Sequence, residues 1–528
     1  MIFMNVKIGQ SYYLFIPVLL ALFLALIVTL SSDWPLSWDI YAHISYALTY
    51  VNNGITAIDP LLNAPEGKVI GYPPLFHIVL IIVSSISTLN FIDTARLLQI
   101  ILSVLNVATI VFIASKFHDK TAGFMAGLLI LSSFMFSRFL LPIPETLAMI
   151  FFSLAVYFYY KSTIESKFNY ALLTALFSLL VLAAHFSSFV YLGVLLTILM
   201  LAQTLILRNS DAVVYYLGAF VPVLLVGIVA MVIMFMFSPS HLTQILGGAV
   251  GLANNPFDLF MGQSAMGLER YVRCVGILPL VFAGIGLYYS FKNRECLFVS
   301  VWALLAFLFT NAHWFGVPVY TFRMLIYLMI PLVILGGYAL SKIISILKTS
   351  NKQLTLILIV AMIILSFAFG FVNINDSSVK YSNAQTEKSL FQIAPPTSDE
   401  AEVIKWFESQ NTTNKSILTN NLFFGTVISS VDNIPLHYSF DVYTNQSLTK
   451  SSVSSLNNQS IGYIVYDKNL TLNGSNNNRK PEVVYVNGSY YPSYYFSNEI
   501  TEKNFAEIKL KGTEKVFENN RFIICKVD

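Results

Sequence analysis

Charge is scarce in this 528-residue chain. Only 11% of its residues are Asp, Glu, Lys or Arg, while 56% are hydrophobic. That ratio excludes an ordinary water-soluble domain and is typical of integral membrane proteins. The net charge of +3 is too small to suggest a nucleic-acid partner. Cysteine is nearly absent. Cys274 and Cys296 fall in apolar stretches and read as core, and Cys525 is a lone thiol in the tail, so there is no disulfide or ligand framework. His43, His77, His185 and His313 lack zinc-site spacing and read as hydrogen-bonding or interfacial groups. No internal repeat is visible. No small-residue cleavage site follows the first apolar run, Tyr12 to Leu30, which is long enough to span a bilayer and is expected to be an anchor.

What the chain does have is a succession of apolar runs, at roughly 12–30, 73–90, 94–115, 121–136, 145–160, 170–186, 188–207, 213–237, 271–291, 296–311, 319–345 and 353–372. After Phe371 the composition turns to Asn, Ser, Thr and Tyr, with short alternating segments such as Gly462 to Asp467, Glu482 to Val486 and Phe522 to Val527. Ser398 to Phe407 reads as a capped helix. The expected fold is a polytopic α-helical membrane protein with a C-terminal soluble α/β domain. Residues 1–372 would form the membrane part, with an outer loop at 31–72, and residues 373–528 the soluble part.

Two signals agree on orientation. Asn-x-Ser/Thr acceptors (Asn375, Asn411, Asn414, Asn445, Asn458, Asn469, Asn473, Asn487) occur only in the tail, which suggests that it is extracytoplasmic. The short connections 116–120, 161–167, 292–295 and 348–352 carry Lys and Arg, and the positive-inside rule puts them in the cytoplasm. With the N-terminus cytoplasmic, the crossings must be odd in number, about 11. One of 73–90 and 94–115 then fails to cross fully, and Pro73, Pro74 and His77 make 73–90 the better suspect.

This topology gathers polar residues on the outer face. Asp39 opens a helical pattern in which Ile40, Ile44, Ala47, Leu48 and Val51 form an apolar face, with Asp39, His43, Tyr46 and Tyr50 on another. An interfacial helix is expected, polar face upward, with Asp39 in the first turn where the helix dipole favours a carboxylate. Asp39 is either a base held at the lipid boundary or an ordinary helix-start acid; Asp33 is the competing carboxylate. Glu145 follows Pro142-Ile143-Pro144 at the start of an apolar run. It is either a helix-start acid or a site group, and Arg138 is its candidate ion-pair partner. Arg323 could fork onto a lipid phosphate or simply snorkel to the interface.

Several segments carry a resemblance: Asp39-Ile-Tyr-Ala-His43; Asp59-Pro-Leu-Leu-Asn-Ala-Pro-Glu66-Gly followed by Tyr72-Pro-Pro-Leu-Phe-His77; Ser137-Arg138 through Glu145; and Tyr320-Thr-Phe-Arg323. In this order they resemble the GT-C superfamily of membrane glycosyltransferases, above all the archaeal oligosaccharyltransferase catalytic subunit. The resemblance implies a lipid-phosphate-linked sugar donor and an outer-face site. It makes Asp39 the catalytic carboxylate, with Glu145 beside it and Arg323 on the donor phosphate. His43, Tyr72, Arg138 and Glu269 would line the substrate site. It also leaves open a manganese or magnesium ion on Asp39 and Glu145.

Two departures matter. Ile143 stands where that family has the first of two acids. Asn421-Leu-Phe-Phe-Gly425 keeps only the glycine of the family's Trp-Trp-Asp-Tyr-Gly motif. An amide nitrogen is a poor nucleophile that calls for several carboxylates and a metal, whereas a sugar hydroxyl needs one general base. The favoured expectation is therefore inverting transfer to a hydroxyl on a glycan, lipid or protein acceptor. The alternatives are asparagine glycosylation, or a non-enzymatic transporter or envelope scaffold. Transporters place charges near mid-bilayer, and these runs have almost none there.

Overall fold

A computed structural model of the chain describes residues 12–37, 39–206, 208–237, 267–290, 294–317, 321–375, 396–419, 421–437, 460–467, 484–486, 489–491 and 513–527. Most of the 238–270 loop, Tyr320 and the acceptors at Asn445, Asn458, Asn469, Asn473 and Asn487 lie outside the described residues. The chain divides into two compact units. One comprises Met1–Leu36, Tyr72–Phe76 and Ala95–Lys380. The other comprises Ser37–Gly71, His77–Thr94 and Tyr381–Asp528.

The first unit is helical among its described residues. Seven helices are long and apolar enough to cross a membrane: Tyr12–Leu30, Phe91–Phe117, Pro144–Glu165, Phe186–Leu205, Asp211–Ile233, Thr321–Ser350 and Lys352–Ile374. Four shorter apolar helices accompany them: Lys120–Leu131, Phe168–Ala184, Ile277–Ser290 and Leu297–Thr310. The remaining short apolar helix, Leu75–Ser87, belongs from His77 onward to the second unit. Outward-facing Leu224, Val229 and Phe235 make the Asp211–Phe237 helix an apolar surface suited to lipid. The chain is a membrane protein.

Thr321–Ser350 is the central helix, buried along most of its length. In lipid, helices gain little from hiding apolar side chains and associate by close backbone approach at small residues. Here a Cβ on Gly337 would fall 2.3 Å from the Ala122 carbonyl oxygen, and one on Gly286 would fall 2.2 Å from that of Leu335. Glycine alone permits these crossings. Asp119 fixes the register: one oxygen caps the Lys120–Leu131 helix by accepting from the Ala122 amide at 2.8 Å, and the other accepts from Ser341 Oγ at 2.7 Å.

The second unit is α/β. Its six-stranded sheet runs in the order Leu62–Ala64, Leu436–His437, Ser416–Thr419, Ile461–Asp467, Phe522–Val527, Thr513–Glu518. The first four strands are mutually parallel and the last two pair antiparallel. The edge strand comes from the loop read in sequence as the 31–72 outer loop. The Leu436 amide donates to the Leu61 carbonyl at 2.7 Å, and Ser429 Oγ donates to the same oxygen at 3.1 Å.

The Ser398–Glu408 helix carries a full capping box between Thr397 and Glu400. Glu400 then serves a second role. Arg521 donates to Glu400 Oε1 at 2.8 Å and, through Nε and Nη2, to Asp467 Oδ2 at 2.9 and 2.7 Å. Asn421 also donates to Asp467 at 2.9 Å while its oxygen caps the Leu422–Asp432 helix. Burial pushes the Glu400 carboxyl above its usual range, with Arg521 pulling the other way.

The helix expected from Asp39 is present, at Asp39–Asn53, but its setting differs from the sequence reading. His43, Tyr46 and Tyr50 are buried along with Ile40, Ile44 and Ala47. The polar face is not turned upward to water. It packs inside the second unit, where His43 Nδ1 lies 3.0 Å from His77 Nε2 and the rings of Tyr46 and Tyr50 meet His77 edge-on. Much of the apolar face is enclosed as well, with Ile40, Ile44 and Ala47 buried and Val51 exposed near the helix end, and the helix packs against Leu422–Asp432. A helical repeat identifies two faces, but it does not say that both are covered.

Candidate functional site

Glu145 is placed by its prolines. A residue before proline is driven out of the helical region, and Ile143 is extended at φ −131°, ψ 162°. The helix therefore starts at Pro144, whose fixed φ and missing N–H suit a first position. Glu145 falls in the first turn, where the dipole favours a carboxylate. Yet it is not in water: it is buried, and so is Arg138 on the preceding Phe136–Phe139 turn. The two form an ion pair through Arg138 Nη2 and Glu145 Oε2. The guanidinium also lies 5.7 Å from the Phe322 ring centroid.

The other carboxylate oxygen faces the Thr321–Ser350 helix, where Tyr327 Oη lies 3.4 Å from Glu145 Oε1. Tyr327 Oη lies 2.6 Å from Ser188 Oγ, which lies 2.7 Å from His185 Nδ1. His185 alone joins two helices, closing Phe168–Ala184 and capping Phe186–Leu205. The apolar pattern put this break at 187. Tyr72 stacks on the His185 ring with centroids 6.4 Å apart. Arg138, His185 and Arg323 all lie within electrostatic reach of the Glu145 carboxylate. Arg323, one helical turn before Tyr327, is exposed.

Four of the expected residues, Tyr72, Arg138, Glu145 and Arg323, thus belong to one neighbourhood of the first unit. Glu269 does not join it. It is exposed on a 3-10 turn, and no hydrogen bond or ion pair among the described residues links it to Glu145. Asp39 and His43 belong to the second unit. Asp39 is half-buried at the first position of its helix, with its amide donating to Ser37 Oγ at 3.2 Å.

Asp59, part of the loop motif, is wholly buried. It accepts from Ser45 Oγ at 2.5 Å, Thr49 Oγ1 at 2.9 Å and the Leu61 amide at 2.9 Å. Burial raises its carboxyl above the usual range despite these donors. It ties the loop to the Asp39–Asn53 helix.

Sequence reading missed Tyr327 and Ser188. Each had a positional signal: Tyr327 is four residues after Arg323, hence on its face, and Ser188 is three after His185, where a capping partner sits. Neither residue type stands out in an apolar helix, so only the fold connects them to Glu145.

The residues do not fit a divalent ion at Glu145. A carboxylate already neutralised by a guanidinium is a poor ligand, and position 143, two residues away, is an isoleucine that brings no side-chain oxygen. No cluster of three His, Cys, Asp or Glu side chains occurs among the described residues.

No family model matches the chain, and no curated protein matches it by sequence. Solved structures do match in fold. One is the Archaeoglobus fulgidus oligosaccharyltransferase in complex with Zn and sulfate, at TM-score 0.61 and 13% identity, over 87% of this chain and 68% of that one. Another is ArnT from Cupriavidus metallidurans bound to undecaprenyl phosphate, at TM-score 0.58 and 10% identity, over 98% of both chains. A third is the mycobacterial arabinofuranosyltransferase AftD, at TM-score 0.55 and 13% identity, over 98% of this chain and 40% of that one. The chain shares the fold of these three proteins.

Proposed function

We propose that the chain is an inverting glycosyltransferase, taking a sugar from a polyprenyl- or dolichyl-phosphate carrier and passing it to a hydroxyl on a glycan, lipid or protein acceptor. The observation that carries this reading is the Arg138–Glu145 pair. It occupies the second-loop acid, so Asp39 is left as the general base. One base suffices for a hydroxyl and does not for an amide. The fold supports the donor class. Its neighbours include an oligosaccharyltransferase bound to dolichol-phosphate and ArnT bound to undecaprenyl phosphate.

In the reaction, Asp39 takes the acceptor proton as the hydroxyl oxygen bonds to the anomeric carbon. The bond from that carbon to the phosphate oxygen breaks on the opposite side, which inverts the centre. The lipid phosphate leaves with the electron pair, and Arg323 stabilises its charge through a guanidinium fork. Glu145, held by Arg138, orients the bound donor. The tail lies on the non-cytoplasmic side, as the basic connections at 116–120 and 161–167 support.

The test is transfer by the purified full chain in nanodiscs, from a panel of synthetic polyprenyl-phosphate sugars to glycan acceptors and to a sequon peptide, with and without a metal chelator. The expected result is chelator-resistant transfer to hydroxyls. Metal-dependent transfer to the sequon asparagine would instead make the chain an oligosaccharyltransferase.

A further inference from the structure

We propose that His185 is a positioning residue that acts on Glu145 through Ser188 and Tyr327. The proposal rests on the reading of Glu145 as part of a sugar-transfer site. Three contacts in series carry it: His185 Nδ1 to Ser188 Oγ at 2.7 Å, Ser188 Oγ to Tyr327 Oη at 2.6 Å, and Tyr327 Oη to Glu145 Oε1 at 3.4 Å. Ser188, Tyr327 and Glu145 are all buried, so exchange with bulk water does not scramble the direction of these bonds.

The series has two proton arrangements, and the cap at His185 decides between them. Where Nδ1 carries no proton, it accepts from the Ser188 amide at 3.3 Å and from the Ser188 hydroxyl. The Ser188 oxygen then accepts from Tyr327, whose single O–H points away from Glu145. Where Nδ1 carries a proton, it donates to Ser188 Oγ and gives up the amide. Ser188 then donates to Tyr327, and Tyr327 donates to Glu145. Each hydroxyl has one proton to give, so the choice at His185 passes to the carboxylate two side chains away. Glu145 gains or loses its second donor while Arg138 holds the other oxygen. The stacked Tyr72 ring places one of the loop residues against the head of this series.

The substitution His185→Asn separates this role from capping. Asn is a favoured N-cap whose oxygen accepts from the helix amides, so the helix start survives while the acceptor state is fixed. Tyr327→Phe keeps the ring and removes the hydroxyl, and Ser188→Ala cuts the middle. The readout is infrared difference spectroscopy of the full chain in nanodiscs, with the Glu145 carboxylate band identified by its loss in Glu145→Gln. The companion measurement is kcat and KM with polyprenyl-phosphate sugar.

His185→Asn and Tyr327→Phe both take the second donor from Glu145, so they should shift its band in the same direction and lower kcat about threefold to tenfold, the effect of one hydrogen bond, with KM unchanged. Ser188→Ala leaves the Tyr327 hydroxyl only Glu145 to donate to within the series and should shift the band the opposite way. The His185→Asn/Tyr327→Phe pair should do no more than Tyr327→Phe alone. An unmoved band in His185→Asn, or additive effects in the pair, overturns the proposal. Coupled band shifts in a protein that transfers no sugar would support the series and overturn the proposed function instead.

Discussion

At the scale of the residue, Arg138 and Glu145 decide the chemistry available to the site. A buried ion pair contributes little against an apolar replacement, but removing one partner strands the other charge at a cost of about 3–5 kcal/mol. Arg138→Leu should therefore lower the melting temperature in detergent sharply. Arg138→Leu with Glu145→Leu should recover most of that loss without recovering transfer. Equal melting temperatures for the single variant and the parent would show that the pair is not buried in solution. This part of the site was partly legible in sequence: two prolines announce a helix start, and an arginine seven residues before the acid is a natural partner. That the acid lies in the interior, against Tyr327 of a helix 182 residues later, is information no local pattern contains.

At the scale of the element, the sequence reading succeeded where one apolar period had one environment, as in Lys352–Ile374 and Asp211–Phe237. It lost resolution where a single side chain ends one helix and begins the next, as His185 does. The helix Leu422–Asp432 gives a prediction of its own. Asp432 ends it, where the dipole disfavours a negative charge, and among the described residues its Oδ2 has no hydrogen-bond partner. Burial and then the nearby Glu408 push its carboxyl up to about 8.

The folded state thus holds a proton on Asp432 that the unfolded chain releases near the ordinary carboxylate range. The stability this provides is full below about pH 4 and is lost as pH rises through about 8. Asp432→Asn removes that dependence. It should raise stability at pH 8 by about 1–3 kcal/mol and leave it nearly unchanged at pH 4, measured by thermal melts across the range. A gain that is the same at both ends would contradict the assignment.

At the scale of the whole molecule, the two units do not follow the chain's change of composition. Composition separates 373–528 from the rest, whereas the second unit also takes in 37–71 and 77–94. Its sheet takes an edge strand from Leu62–Ala64, and its interior includes the Asp39–Asn53 helix. Composition is a local property and strand pairing is not. Leu61 and Ser429, which hydrogen-bond, are 368 positions apart. The fragment 373–528 expressed alone should accordingly be unfolded by amide hydrogen exchange, with the Leu436 edge unpaired. Adding 37–71 through a flexible linker should restore protection. Full protection of the fragment alone would show that the loop is dispensable.

Asp39 carries the central claim, since it opens a helix packed within the second unit and is the base assigned to the acceptor. The decisive measurement is the transfer rate of Asp39→Asn in the nanodisc assay, with polyprenyl-phosphate sugar and a hydroxyl acceptor. Removing a positioned general base should lower kcat by about 100-fold or more while the melting temperature stays near that of the parent chain. A variant that folds and transfers sugar at the parent rate would contradict the account.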